Sequence, residues 1–293
     1  MKPEIQRLIE LMLPQQVHFD ALAVGVIDFK KQSFTTCGHT DTYFDLASVT
    51  KVLGMASVYA LHPKEFSPEM RLLIEHRAGL PAWGLLPNPG WKEIINSYHP
   101  KEAATLYSDY SAIRANLEIE NKFKKTTPEI LKKIWDKEVC FWRNLPGDAA
   151  CVATGERNNH VIQGDVHDPN AWVIKEWCGH AGLFGTVAGV CRALLKLEEE
   201  SKFINLVKTG MANHPHRFIF GWDRVENPQE TLAGVGCSTQ TFGHLGFTGT
   251  SVWIDAEKMM GHVILSNATR DGWYRKDGLN ELRRAIGSLV WSG

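Results

Sequence analysis

The sequence has 293 residues, 44% of them hydrophobic and 22% charged, an ordinary globular composition with enough apolar side chains for a sizeable core. A formal net charge of -1 leaves no basic excess to neutralise a nucleic-acid backbone or an anionic membrane, so no nucleic acid is expected as a partner and a small-molecule or short-peptide substrate is. No stretch approaches the ~20 apolar residues of a membrane-spanning helix, and Cys37, Cys140, Cys151, Cys178, Cys191 and Cys237 form no C-x-x-C pair, which points to reduced thiols rather than a disulfide framework or zinc knuckle.

In MKPEIQRLIELMLPQQ the apolar residues are interrupted by Glu4, Gln6, Arg7 and Glu10, which is helix patterning and not the unbroken apolar core of a secretory signal. A cytoplasmic location is expected, or a periplasmic one if a leader has been trimmed. The segments ALAVGVIDF and QSFTTCG read as two strands joined near Lys30-Lys31. From Ser48, the residues Val49, Val52, Leu53, Ala56 and Ala60 step at three and four, predicting a helix with one buried stripe. Residues 66–214 carry helical patterns at Pro128 to Val139 and Val187 to Leu197, broken by loops such as NNHVIQGDVHDPNA, and predict a mainly helical lobe. After it, FIFGWDRV, HLGFTGTSVWID and GHVILSN are β-rich, and Leu279, Leu282, Ile286 and Leu289 close the chain as an amphipathic helix.

Strands at both chain ends predict an α+β protein: an antiparallel sheet lobe from 1–65 and 215–293, flanked by helices, with the helical lobe 66–214 inserted and the active site between them. LASVTK holds the chain's S-x-x-K, and a spacing of three brings the Lys51 amine within reach of the Ser48 hydroxyl. Alone the motif is as common on surface helices, where Ser48 would be an N-cap. Its place at a helix start, where unpaired N–H groups favour a developing negative charge, gives it weight. A serine needs a neighbour to take its proton, and a lysine does so only when burial or nearby cations lower its pKa, so Lys51 must be partly buried. Tyr107 and Asp109 bracket Ser108 at a second helix start. In FGHLGFTGTSVWID, Gly246 and Gly249 permit close backbone approach, and the N–H groups of Phe247 and Ser48 are candidate oxyanion donors.

Ser48-Val49-Thr50-Lys51, Tyr107-Ser108-Asp109 and His244-Leu245-Gly246, in this order, resemble the S-x-x-K, Y-x-N and K-T-G or H-x-G motifs of the serine hydrolases of the class C β-lactamase and low-molecular-weight penicillin-binding protein family. LLIEHRAGLPAW is similar to the stretch after that family's nucleophile helix. GDVHDPNA and GHAGLFGT resemble the branch with D-alanyl-D-alanine carboxypeptidases and esterases. The resemblance, from about residue 20 to 270, implies that Ser48 attacks the acyl carbon, that Lys51 and Tyr107 move the proton, and that Asp109, His244 and Gly246 meet the substrate, with no metal or cofactor. It implies an ester or D-amino-acid amide substrate, peptidoglycan-derived stems included. A β-lactamase and a catalytically impaired binding protein are the alternatives.

Three features depart from the pattern. Asp109 stands where the family usually has Asn, and an ionised carboxylate cannot donate the amide hydrogen bond; it can pair with Lys51 or bind a substrate cation. His244 replaces the lysine of β-lactamases, and the helical lobe is short. His167, Asp168 and His180 lack metal-site spacing and are read as structural, as are Trp83 and Trp177, with cleft lining the alternative for the tryptophans.

Overall fold

A computed structural model describes residues 3–272 and 275–293. Both chain ends feed one antiparallel sheet of seven strands, in the order β2-β1-β12-β11-β10-β9-β8. These are β1 (Leu22–Asp28), β2 (Ser33–Gly38), β8 (Phe218–Ile219), β9 (Trp222–Arg224), β10 (Thr241–Leu245), β11 (Ser251–Asp255) and β12 (Met260–Ser266). Central strand β1 pairs with β12 in a register running from Leu22↔Ser266 to Asp28↔Met260.

Successive side chains of a strand point to opposite faces, and here both faces are covered. Ala23, Ile27, Val252, Ile254, Val263 and Leu265 join the larger core, against which the helix Val187–Ser201 lies. Leu22, Val24, Val26 and Ile264 pack on the other face with Ile5 and Ile9 of helix Pro3–Met12 and Leu279, Leu282 and Ile286 of helix Asp277–Trp291. Burial on both sides explains the near-continuous apolar run of β1, each fully buried aliphatic side chain contributing about 1.5–3 kcal/mol. Gly25 lets the helix sit flush: a Cβ there would meet Cys191 Sγ at 2.4 Å.

Segment 66–214 is helical but also carries β4 (Val139–Phe141), β5 (Ala153–Arg157), β6 (His160–Gln163) and β7 (Leu183–Gly185). β5 and β6 form a hairpin, and β7 sits between β4 and a short strand β3 (Phe44–Asp45). The helical pattern of Pro128 to Val139 is realised only over Thr127–Ile130. Beyond it the Trp135 indole donates to Leu53 O at 3.1 Å and Val139 pairs with Gly185, tertiary contacts that outweigh local periodicity.

The helix after Ser48 also departs from expectation. It is α-helical over Val49–Lys51, passes through a π-turn at Val52–Ala56 and resumes over Ser57–Leu61. It is buried on all sides from Val49 to Ala60, not along one stripe. The π-turn frees carbonyls that find other donors: Leu53 O takes the Trp135 indole and Val52 O takes the Ser57 hydroxyl at 2.9 Å. Such turns are frequent at functional sites.

Candidate active site

The turn that bears Ser48 is held from three directions. β3 ends at Asp45, whose buried carboxylate accepts the N–H of Ala47 at 2.8 Å and of His167 at 2.6 Å. Ala47 sits at φ 47°, a left-handed conformation that costs about 1 kcal/mol in a non-glycine residue and aims Ser48 out of the turn. From the β10–β11 connection, Thr248 and Thr250 donate to Asp45 O and Leu46 O at 2.7 and 2.8 Å. Gly246 makes that approach possible, since a Cβ would lie 1.9 Å from Thr250 Oγ1 and 2.7 Å from Leu46 O. Gly249, at φ +112°, is equally constrained, with Ser266 Oγ 2.2 Å from where its Cβ would be.

Ser48 does not cap its helix with its side chain. Its Oγ accepts from Lys51 Nζ at 2.9 Å. Lys51 is fully buried, as an acid–base role demands. It also donates to His180 O at 3.0 Å and is ion-paired with Asp109 Oδ1 at 2.8 Å. Burial pushes this lysine down, but the Asp109 carboxylate and the Tyr107 side chain outweigh burial and hold it above its ordinary value. The expectation of a lowered lysine pKa is therefore not met, and the chief cause is the Asp that stands in the Asn position.

Tyr107 precedes helix Asp109–Phe123, whose N-cap is Ser108, with the hydroxyl accepting the Ser111 N–H at 2.9 Å. The Tyr107 ring lies 5.0 Å from Lys51 Nζ and is flanked by His76 at 4.6 Å, Phe218 at 5.8 Å and His244 at 5.8 Å. His76, not singled out in the sequence, is the residue that places it. Its carbonyl accepts the Leu106 N–H at 2.9 Å and its Nδ1 the Ser108 N–H at 3.1 Å, a grip on both sides of Tyr107. Accepting at Nδ1 requires a neutral imidazole, and burial, then the Lys51 charge, holds the His76 pKa well down. The only hint in the sequence was its place in LLIEHRAGLPAW.

His244 is also buried and neutral, its pKa pushed down to about 3 by burial and by Lys51. Its Nδ1 lies 2.7 Å from Leu245 O, which fixes the proton there. His244 thus brings no positive charge to the cleft. Cations stand further along it: Arg217, Lys276 and Arg283 border a recess of about 380 Å³ that also touches Ser48, Tyr107, His244, Gly246 and Phe247. Arg283 is buried, donating to Thr250 O and Asn280 Oδ1, and burial lowers Lys276 to about 8. Lys276 donates to Phe247 O and lies over the Phe247 ring. On the other side of Ser48 a larger cavity, about 540 Å³, runs past Asp109, Asp168, Trp83 and Phe247. Trp83 is half exposed and lines it; Trp177 is core, its indole donating to Asn116 Oδ1 at 2.8 Å.

Of the residues considered for metal, Asp168 caps helix Pro169–Ile174 and pairs with His180 at 2.8 Å, and His167 Nδ1 meets Thr154 Oγ1 at 3.2 Å. Among the described residues no group of three His, Cys, Asp or Glu is arranged to hold a metal ion, and no helix is long and apolar enough to cross a membrane.

The antiparallel sheet backed by helices, with the S-x-x-K turn against the connection that follows strand β10, is the β-lactamase/transpeptidase-like α+β fold. A sequence model of the beta-lactamase family matches residues 67–285, and the chain belongs to that family. The matched span starts after Ser48 and Lys51. Among curated proteins, the chain is 28% identical over 119 residues to an N-acetylmuramyl-L-alanine amidase of Bacillus subtilis, covering 37% of this chain and 27% of that one. It is 33% identical over 121 residues to a putative D-alanyl-D-alanine carboxypeptidase of Salmonella agona, covering 37% and 28%. The match spans little more than a quarter of these relatives' length. Among solved structures, a penicillin-binding protein homologue from Pyrococcus abyssi aligns with a TM-score of 0.69 at 14% identity, over 99% of this chain and 78% of that one. A beta-lactamase/D-alanine carboxypeptidase from Pseudomonas syringae aligns at 0.65 and 14%, over 99% of both. At such identities the likeness is one of fold.

Proposed function

We propose that this protein is a serine hydrolase that works through an acyl-enzyme on an ester or a D-amino-acid amide or peptide, in the manner of a D-alanyl carboxypeptidase or esterase. The observation that carries the reading is the fully buried Lys51 amine 2.9 Å from the Ser48 hydroxyl, a nucleophile–base pair with no structural reason to be buried. Lys51, held charged by Asp109, first loses a proton by way of Tyr107 to solvent; Ser48 Oγ then attacks the carbonyl carbon and its proton passes to the neutral amine. The N–H groups of Ser48 and Phe247 face the oxyanion. Lys51 and Tyr107 return a proton to the leaving group as its bond to the acyl carbon breaks, and water releases the acyl group by the same steps.

Lys276 and Arg283 on one side of Ser48 suit a carboxylate on the leaving portion, as in a peptide C-terminus, whereas Arg217 is paired with Asp223 of the same recess. Peptidoglycan-derived peptides have such an end, and the names of the relatives agree with them. A second reading, a family member with impaired chemistry that binds ligand, is favoured by one observation, the Lys51–Asp109 ion pair. The neutral His244 argues against an efficient β-lactamase.

Intact-mass spectrometry with a fluorescent penicillin, and hydrolysis of p-nitrophenyl acetate, separate these readings when each is run beside Ser48→Ala. An adduct or burst lost in Ser48→Ala supports the acyl-enzyme. No adduct and no turnover by the wild type refutes it and favours the binding protein.

A further inference from the structure

Lys51 acts as a base only when neutral, yet Asp109 holds it charged. Around the amine lie Asp109, Tyr107, His76, His244 and, beyond the His180 carbonyl, the Asp168–His180 pair. Both nearby imidazoles are neutral, and the Asp168–His180 pair has no net charge. Among the described residues, Asp109 is therefore the counter-charge that keeps the proton on Lys51.

The same carboxylate faces substrate. Asp109 borders the 540 Å³ cavity, and only Oδ1 is spent on Lys51; Oδ2 has no partner among the described residues. Ser48 Oγ and Asp109 Oδ1 both touch Lys51 Nζ, at 2.9 and 2.8 Å. A carbonyl carbon at Ser48 and a group two bonds away at Asp109 can thus be held together, and two bonds separate an α-amine from its own carbonyl carbon.

We propose that Asp109 is a specificity-determining residue that selects substrates with a free α-ammonium beside the scissile carbonyl, and that this ammonium turns Lys51 into the base. The inference rests on the acyl-enzyme reading above. The incoming ammonium bonds Asp109 Oδ2 and neutralises the carboxylate. Lys51, now buried beside a like charge, gives up one proton by way of Tyr107 to solvent. The net charge of the site is unchanged: one cation has replaced another. Neutral Lys51 then takes the Ser48 proton as the hydroxyl adds to the carbonyl carbon, and hands it to the leaving amine or alcohol as that bond breaks. An acylated amine has no charge to offer Asp109 and leaves Lys51 mostly protonated, so an N-blocked substrate, like an ester or a penicillin, is acylated more slowly but by the same steps.

The test compares D-alanine p-nitroanilide, its N-acetyl derivative and propionic acid p-nitroanilide on wild type, Asp109→Asn and Ser48→Ala. Wild type is expected to favour the free amine by roughly tenfold or more in kcat/KM, with the difference mainly in kcat. Asp109→Asn, nearly isosteric, should lose that preference and accept the acetylated substrate at least as well as wild type does. In wild type alone, D-alaninamide should compete better than propionamide. Equal turnover of all three substrates by wild type, with Ser48→Ala inactive, overturns the amine selection and leaves the acyl-enzyme intact. Turnover that survives in Ser48→Ala, or none in wild type, overturns both.

Discussion

Replacing His76 by Phe tests how Tyr107, the proposed proton carrier, is held in place. The ring would keep its packing against Tyr107 and Phe218, now at centroid distances of 4.6 and 4.7 Å. Nε2 is buried without a partner, so losing it costs no hydrogen bond. What disappears is the Nδ1 acceptor 3.1 Å from the Ser108 N–H. Ser108 is fully buried and water cannot replace the acceptor. An orphaned buried donor costs about 1–3 kcal/mol, a fall in Tm of roughly 2–10 °C for a chain of this size. The functional effect should exceed the stability effect, because a displacement of ~1 Å in a catalytic group costs on the order of 100-fold. His76→Asn is the matched control: its Oδ1 takes the place of Nδ1, and Asn tolerates the φ of 56° found here. Thermal unfolding together with the acylation rate of a nitrophenyl ester reads both effects. If His76→Phe matches wild type in Tm and rate, or if His76→Asn is as impaired as His76→Phe, the positioning argument is wrong.

Gly246→Ala should lose ~1–3 kcal/mol through overpacking against Thr250 Oγ1 and Leu46 O and should no longer be labelled by penicillin; wild-type melting and labelling would refute the close-approach argument. Lys276→Ala should weaken a peptide with a free C-terminal carboxylate by about tenfold in KM while leaving its methyl ester unaffected, and equal effects on both would remove Lys276 from carboxylate binding. Stability should fall on acidification. His76, His244 and His262 have folded pKa values below the ordinary ~6.5, at about 3 and 4 for the last two, so their contribution is complete above ~6.5 and is lost as pH falls toward those values. Asp45, raised to about 6 chiefly by burial, and His180, raised by Asp168 against the effect of burial, act in the opposite sense but are fewer. Urea unfolding at pH 7 and pH 5 should differ by on the order of 2 kcal/mol in favour of pH 7; equal midpoints would count against buried neutral imidazoles.

The parts legible in the sequence were those written in local spacing. β-Rich runs bounded by turn residues marked the strands of the large sheet, and S-x-x-K with Tyr107-Ser108-Asp109 and His244-Leu245-Gly246 marked the residues that the fold gathers around Ser48. What stayed hidden depends on distant contacts. Nothing in Val49 to Ala60 distinguishes a helix buried on one side from one buried on all sides, because Ala and Gly suit both. Strand β3 has two residues and exists only through β7 and the carbonyls that Thr248 and Thr250 grip. His76 carries no motif of its own kind; its role follows from a backbone N–H that lies 32 positions away in sequence. The cations Arg217, Lys276 and Arg283 come from separate stretches, so charge counting along the chain does not assemble them.

The dipeptide His167-Asp168 shows how these distant contacts combine. His167 offers its N–H to Asp45, the carboxylate that also fixes Ala47 and so the turn bearing Ser48. Asp168 holds His180, and the His180 carbonyl is one of the three oxygens around Lys51 Nζ. Ser48 and Lys51, the proposed nucleophile and base, are therefore referenced to two adjacent residues of one loop. Asp168, held at about 2 by its partners despite burial, stays ionised across the working pH range and keeps that reference fixed. Asp168 borders the larger cavity, but its carboxylate is spent on His180 and the Ala171 N–H, so Asp168→Asn should disturb chiefly the Lys51 carbonyl contact. The expected signature is a drop in kcat at unchanged KM for a neutral ester; a change confined to KM would place Asp168 in substrate binding instead.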